Sequence, residues 1–343
     1  MAVGDEAKSA VPSYIGMFLE TTWGTNPSTA GTNATAIEAL SIGFKTNIKS
    51  EKLETLNRFR GYTKRVQLDK EVTGAMEQYF HPIESVRLFA VTLGGGIVSA
   101  SMSGGFVHSI SAGNFDTNNS SVAFNVRKGD THVFGYTGGR VNSMKLTGAV
   151  GEVIKVAYDF IFKDSTQGIT DIGTGLSISS VLPFTYVQGV YRYKDTETSI
   201  DTTTSEEPIT AFELTINNNL KSDKDARELG SNVLSVLPAT RRAVEFKITQ
   251  RFDTTTTYNR FIQGTIGSVE LNFVGGSMGT AASYQCIVRL PRVYMNSTDP
   301  EIKSAKDLLM SEIAFDVISD NPNTSTGRDI GVTFMNTVAN YTA

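Results

Sequence analysis

The chain has 343 residues, with 31 Lys+Arg against 35 Asp+Glu and a formal net charge of −4. That length can bury a large core and suggests about two domains, while the single cysteine, Cys286, excludes an internal disulfide and a cysteine-built zinc site. No apolar run approaches the ~18 residues of a bilayer span, the first residues do not read as a signal peptide, and the acidic balance argues against a general nucleic-acid binder while leaving room for a protein that DNA slides past.

Read from the N-terminus, a short apolar stretch, Ser13-Tyr14-Ile15-Gly16, leads into Glu20-Thr21-Thr22-Trp23-Gly24-Thr25 and a loop rich in Gly, Asn, Thr and Ser over 25–35. Val66–Val72 alternates, with Gln67, Asp69 and Glu71 on one face. That period of two predicts a half-buried strand. Pro82–Leu93 predicts three helical turns, opened by Pro82 and closed by Gly94-Gly95-Gly96. A second polar loop spans 109–121, and Ile154–Phe160 is a further strand. The polar stretches 165–180 and 196–205 show no core pattern and read as a bridge. Beyond them, Val244–Thr249 alternates with Glu245, Lys247 and Thr249 on one face. Thr257–Gln263 is a short helix candidate, and Val269–Phe273, Tyr284–Leu290 and Ile330–Phe334 are strand candidates. Asp299-Pro300-Glu301 would start a third helix, running through Leu309, with acidic residues suited to its N-terminus.

The order of these elements repeats. Phe44–Lys52 resembles Phe212–Asn217 with the following Leu220–Lys224. Thr63-Lys64-Arg65 and Thr240-Arg241-Arg242 each introduce an alternating strand, and Arg140-Val141-Asn142 matches Arg292-Val293-Tyr294. A helix-like segment, a glycine and another strand follow each alternating strand. A duplicated module explains this order. The expected domains are 1–164, a bridge over 165–207, and 208–343.

Catalytic patterns are sparse. His81, His108 and His132 stand in no H-E-x-x-H arrangement. Cys286 lies inside a strand candidate and reads as a buried thiol. Gly94-Gly95-Gly96 lacks the Lys-Ser/Thr of a phosphate loop, and Gly138-Gly139-Arg140 lacks the dinucleotide spacing, so both read as turns. Lys64-Arg65 and Arg241-Arg242 are the most basic clusters and read as solvated or subunit-facing charge rather than phosphate contacts.

Five segments stand out in order: the opening through Thr25, Tyr136-Thr137-Gly138-Gly139-Arg140-Val141-Asn142-Ser143-Met144-Lys145-Leu146, Ile216-Asn217-Asn218-Asn219-Leu220, Arg241-Arg242, and Leu290-Pro291-Arg292-Val293-Tyr294. Together they resemble the tail tube proteins of long-tailed (siphovirus-like) bacteriophages. They occur in the family's order from about Ser13 into the 330s. The resemblance implies a mainly β fold of two tandem tail-tube-like sandwich or half-barrel domains, each with a short α-helix. It implies a structural role without catalysis or cofactor. Subunits would stack as rings into a hollow tube in the virion tail, assembled in the host cytoplasm. The expected partners are copies of the chain itself in a trimeric, pseudo-sixfold ring, the tape-measure protein, and DNA in non-specific transit, with no membrane insertion. Gln67, Asp69, Glu71, Glu245, Lys247 and Thr249 would face the lumen, where acidic groups repel phosphates. The loops at 25–35 and 109–121 and the terminal segments would meet the next ring. Another virion component (a tail terminator, baseplate or decoration protein) is the alternative. A secreted adhesive or carbohydrate-active β-protein is the alternative from a different class.

Overall fold

A run in which every second side chain is apolar can bury one face of a strand and wet the other, and strands of this kind make up most of the chain. The structure, a computed structural model, describes residues 13–27, 34–56, 58–113, 120–129, 132–173, 176–197, 200, 204–252, 255–279, 282–298, 308–320 and 328–341. In chain order the first half gives β1 (Tyr14–Leu19), β2 (Thr35–Ala36), β3 (Ala39–Ile42), β4 (Lys45–Lys52), β5 (Arg65–Tyr79), α1 (Ser85–Leu93), β6 (Ile97–Met102), β7 (Gly105–Ser111), β8 (Val122–Lys128), β9 (His132–Ala149), β10 (Lys155–Phe162) and β11 (Asp164–Gln167). The second gives β12 (Gly189–Lys194), β13 (Ala211–Asn217), β14 (Ala243–Arg251), α2 (Thr256–Ile262), β15 (Ile266–Ser277), β16 (Ser283–Thr298), β17 (Met310–Val317) and β18 (Gly331–Asn336).

The antiparallel ladder of the first half runs β1, β8, β9, β10, β5, β4. That of the second runs β12, β15, β16, β17, β14, β13. In each, the short helix follows the strand that pairs with the last member, α1 after β5 and α2 after β14. The ladders join where β13 lies along β9, with Asn217 opposite Ser143 and Ala211 opposite Ala149. The β6–β7 hairpin leaves the first half and pairs with β18.

Alternation fixes which face is buried. One row crosses the joined sheet as Gln78, Val156, Leu146, Leu214, Phe246, Phe315 and Met295, each opposite the next. Every member is at most 9% exposed. A register slip of one residue on any strand would turn this row into solvent. Behind it, Phe80, Phe89, Phe184, Phe273 and Phe334 form an aromatic cluster with centroids 5.2–5.9 Å from Phe80 or Phe89. These rings come from both halves, so one core serves both ladders. Such pairs add about 0.5–1.5 kcal/mol each beyond area burial. Helix α1 is buried on nearly every side, between β9 and β7. It ends at Gly94, whose φ of 67° suits glycine. Gly95 follows because a Cβ there would lie 1.8 Å from the Ser111 carbonyl oxygen.

The strands over 66–72, 154–160, 244–249, 269–273, 284–290 and 330–334 form, most of them longer than alternation predicts. The two helices form inside or within one residue of their expected spans. The third, from Asp299, falls almost wholly outside the described residues. Two loop expectations need correction. Residues 109–111 end β7, because pairing with β18 gives this polar stretch its backbone partners. The stretch 165–207 holds most of β11, a 3-10 turn at Tyr186–Gln188 and β12. Its Phe184, Tyr191 and Tyr193 belong to the main core; the alternation around the two tyrosines is too short, between polar runs, to stand out as a core pattern. Much of the 25–35 and 109–121 loops lies outside the described residues.

Candidate functional site

The face opposite the core row is polar and continuous. One row reads Glu77, Ala157, Lys145, Thr215, Glu245, Asp316, Tyr294. The next reads Tyr79, Lys155, Thr147, Glu213, Lys247, Ala314, Ser297. Flanking rows add Asp159 beside Ser143, and Glu312 beside Thr249. Across these four rows, six carboxylates (Glu77, Asp159, Glu213, Glu245, Glu312, Asp316) face three amines (Lys145, Lys155, Lys247). Lys145 pairs with Glu213 across the junction of the ladders at 2.8 Å, and Lys155 lies 3.9 Å from Glu77. Ser143 donates to Asp159 at 2.6 Å, and Asn296 to Asp316 at 3.2 Å. Between the charges stand Ala, Ser and Thr, so the face is hydrophilic and low in relief.

Five of the six residues read from the sequence lie on this side of their strands, while a register shift in β5 between Lys70 and Gln67 turns Gln67 to the other side. Glu245 and Lys247 are exposed and Thr249 is half-buried, with Val244, Phe246 and Ile248 buried between them. Gln67 and Glu71 are exposed and Asp69 half-buried, but these three sit beyond the shared rows. β10 covers only Val72–Tyr79 of β5, so Arg65–Glu71 projects with β4 as a two-stranded arm. The sequence reading therefore reached the shared rows only through its β14 group, while its β5 group lies on the arm. It missed Glu77, Lys145, Glu213, Thr215 and Asp316. The alternation in Glu213–Thr215–Asn217 was there to be read; the crossing of β13 onto β9 was not.

Titratable groups elsewhere serve the fold. His81 precedes α1, where Nδ1 accepts the backbone N–H groups of Ile83 and Glu84 at 3.1 and 3.2 Å, and Nε2 meets the Val181 carbonyl oxygen at 2.7 Å. It is a buried cap at the entrance to α1. His108 is held by Ser99 at 2.8 Å and Asn336 at 3.1 Å. Burial holds both imidazoles below the ordinary histidine value. His132 is exposed at the start of β9. Cys286 is buried, and burial pushes its thiol well up. Among the described residues no cluster of His, Cys, Asp or Glu could hold a metal ion. Arg242 pairs with Asp329 through two bonds of 2.8 and 2.9 Å and donates to the Leu93 carbonyl at the end of α1. Arg65 donates to Ser50 across the arm. Neither basic cluster is built as an anion site.

Two sequence motifs find their physical role at the meeting of the halves. Glu20 accepts the backbone N–H groups of Gly138 and Gly24 at 2.7 and 2.9 Å and the Ser121 hydroxyl at 2.6 Å. Gly138, at φ 68°, marks an irregular step in β9 that brings its N–H to this carboxylate. Trp23 donates to the Gly138 carbonyl at 3.1 Å and stacks against Arg140 and Lys163, 5.4 and 4.6 Å from its ring. It then packs on Leu220, Leu234 and Leu237, which belong to the connection between β13 and β14. Asn218, fully buried, donates to the carbonyls of Thr92 and Val141 at 2.8 and 2.9 Å. One side chain thus ties α1 to β9 at the point where β13 leaves the first half.

A family model described as phage tail tube protein matches residues 13–330. No curated protein matches the chain.

Proposed function

The chain belongs to the phage tail tube proteins and is a structural component of a virion tail, and from that premise we propose that copies of it close into rings, that the rings stack into a tube, and that the polar face described above lines the bore. One observation carries this reading: the hydrophilic rows run unbroken across both ladders through the β9–β13 junction. A wet face on one side and a single apolar core on the other is the division of labour that a barrel wall requires. Two ladders of identical order in one chain favour a duplicated module, and hence a ring of three chains with pseudo-sixfold symmetry. The excess of carboxylates on the face suits the passage of DNA. Phosphates meet like charge and release few counterions, so a duplex slides without sticking. The same bore houses the tape-measure protein before ejection. The role is architectural, with no catalysis or cofactor, and assembly belongs to the host cytoplasm.

Negative-stain microscopy of purified, concentrated protein, with mass photometry on the same sample, tests this. Stacked rings with three-fold class averages and a trimer mass are the expected result. Isolated plugs or single rings that never stack would favour a terminator or baseplate role, and a protein monomeric at every concentration would reject assembly from the chain alone.

A further inference from the structure

Within one chain the second ladder docks on the first in two steps. β13 extends β9 over Ser143–Ala149, just past the point where β8 stops at Gly139. The connection after β13 then folds down beside it. Asn232 accepts the Lys70 N–H at 2.8 Å, and Leu234 and Leu237 pack on Trp23 and Ile161. Among the described residues, both halves of an equivalent contact are present and unpaired. β4 holds the place in the first ladder that β13 holds in the second. It pairs with β5 on one edge, and no strand among the described residues pairs with its other edge. Seven of its eight residues are exposed. At the far side of the second ladder, β15 reaches only to Tyr294 of β16. Among the described residues Met295–Thr298 pairs with β17 alone, so it offers the same step that β9 offers to β13.

The loop between β4 and β5 supports the match. Over 53–64 it carries Arg58, Arg60 and Lys64 against Glu54, and it holds Leu56 fully and Tyr62 more than half exposed. The corner beside Met295 presents exposed Glu197, Asp316 and Asp320 around Arg292 and Arg328, with Ile318 45% exposed. The basic loop would meet three carboxylates against two guanidiniums, with Glu197 paired to Arg292 at 3.5 Å, and each side offers apolar surface.

Resting on the ring reading above, we propose that a second copy of this chain supplies the missing contact: the outer edge of β4 pairs with Met295–Thr298 of its neighbour, and the 53–64 loop seats on the Arg292–Ile318 corner. Every seam of the ring then repeats the β9–β13 junction. An unpaired strand edge is an aggregation hazard unless a partner covers it, and here the partner is the chain's own far end.

The test uses exposed positions on the polar face. In a Cys286→Ser background, Asn47→Cys on β4 is combined with Ser297→Cys on β16, and assembled material is treated with a short bis-maleimide. Lys145→Cys with Thr215→Cys, opposite one another across the internal junction, is the control and links within one chain. The expected result is a ladder of linked chains ending at the ring stoichiometry for the 47–297 pair, and monomers alone for the control. Rings visible by microscopy, with an efficient control link and no 47–297 link, would overturn the proposed seam and leave the ring reading standing. Absence of rings from every preparation would remove the ring reading, and the seam with it. A charge-reversed Arg58→Glu/Arg60→Glu chain gives a second readout. It should keep its thermal midpoint and require at least tenfold more protein to form rings, and unchanged assembly would count against the seating of the loop.

Discussion

Glu84 shows how one carboxyl can set the pH response of the fold. Its side chain is 4% exposed, and one oxygen accepts the Glu38 N–H at 3.1 Å while the other has no hydrogen-bond partner among the described residues. Burial is the main cause that pushes its pKa up to about 7; the Glu38 N–H opposes the rise and the Glu38 carboxylate adds to it. A folded-state value above the unfolded one means that the folded chain binds the proton more tightly. This contribution is therefore intact below about pH 4.5 and is lost as pH rises toward 7 and beyond. The loss is on the order of 3 kcal/mol at most. Glu84→Gln should flatten the fall in thermal midpoint between pH 5 and 8 and raise the midpoint at pH 8. An unchanged slope would show that another group governs it. Asn218 makes a second residue-scale prediction. Asn218→Ala strands two buried carbonyls and should cost about 2–3 kcal/mol, read as a lower denaturant midpoint at constant m-value. His81, by contrast, was legible only as a histidine. Its capping role depends on the turn before α1, a relation of side chain to backbone that no spacing in the sequence encodes.

The strands teach a more favourable lesson. β14 was readable almost residue by residue, because Val244, Phe246 and Ile248 against Glu245 and Lys247 leave one way to lie. Neighbouring substitutions should behave as opposites. Phe246→Ala empties a packed site between Leu214 and Phe315 and should cost about 3–5 kcal/mol. Lys247→Ala, one residue on, should stay within about 0.5 kcal/mol. Thermal melts of the two variants side by side check this, and similar losses would mean that β14 is not amphipathic in solution. β12 was hidden for the converse reason. Its Tyr191 and Tyr193 alternate with Arg192 and Lys194, but the strand is short and flanked by polar runs, and only β15 reveals its pairing. The β6–β7 hairpin was hidden too, since what stabilises it is a strand more than two hundred residues away. Element type is written locally, but edge-to-edge partnership is a property of the closed ladder.

At the scale of the whole molecule, the polar face acts through its summed charge. Converting Glu77, Glu245 and Asp316, all on one row, to lysine reverses that sum where the sheet is continuous. The triple variant should bind double-stranded DNA at low salt and release it steeply as salt rises, while the unaltered chain should show no retention in the same electrophoretic assay. Equal behaviour of the two would remove electrostatics from the account of transit. The face could be anticipated from β14, but its continuity could not, because that depends on β13 crossing to β9. The same crossing has an arithmetical consequence. Two ladders tethered in one polypeptide meet at an effective concentration that free units would not reach, so they always arrive together. A closed assembly of such chains can contain only an even number of ladders, and miscounted rings with an odd number are forbidden by covalent connectivity before any contact has been tried.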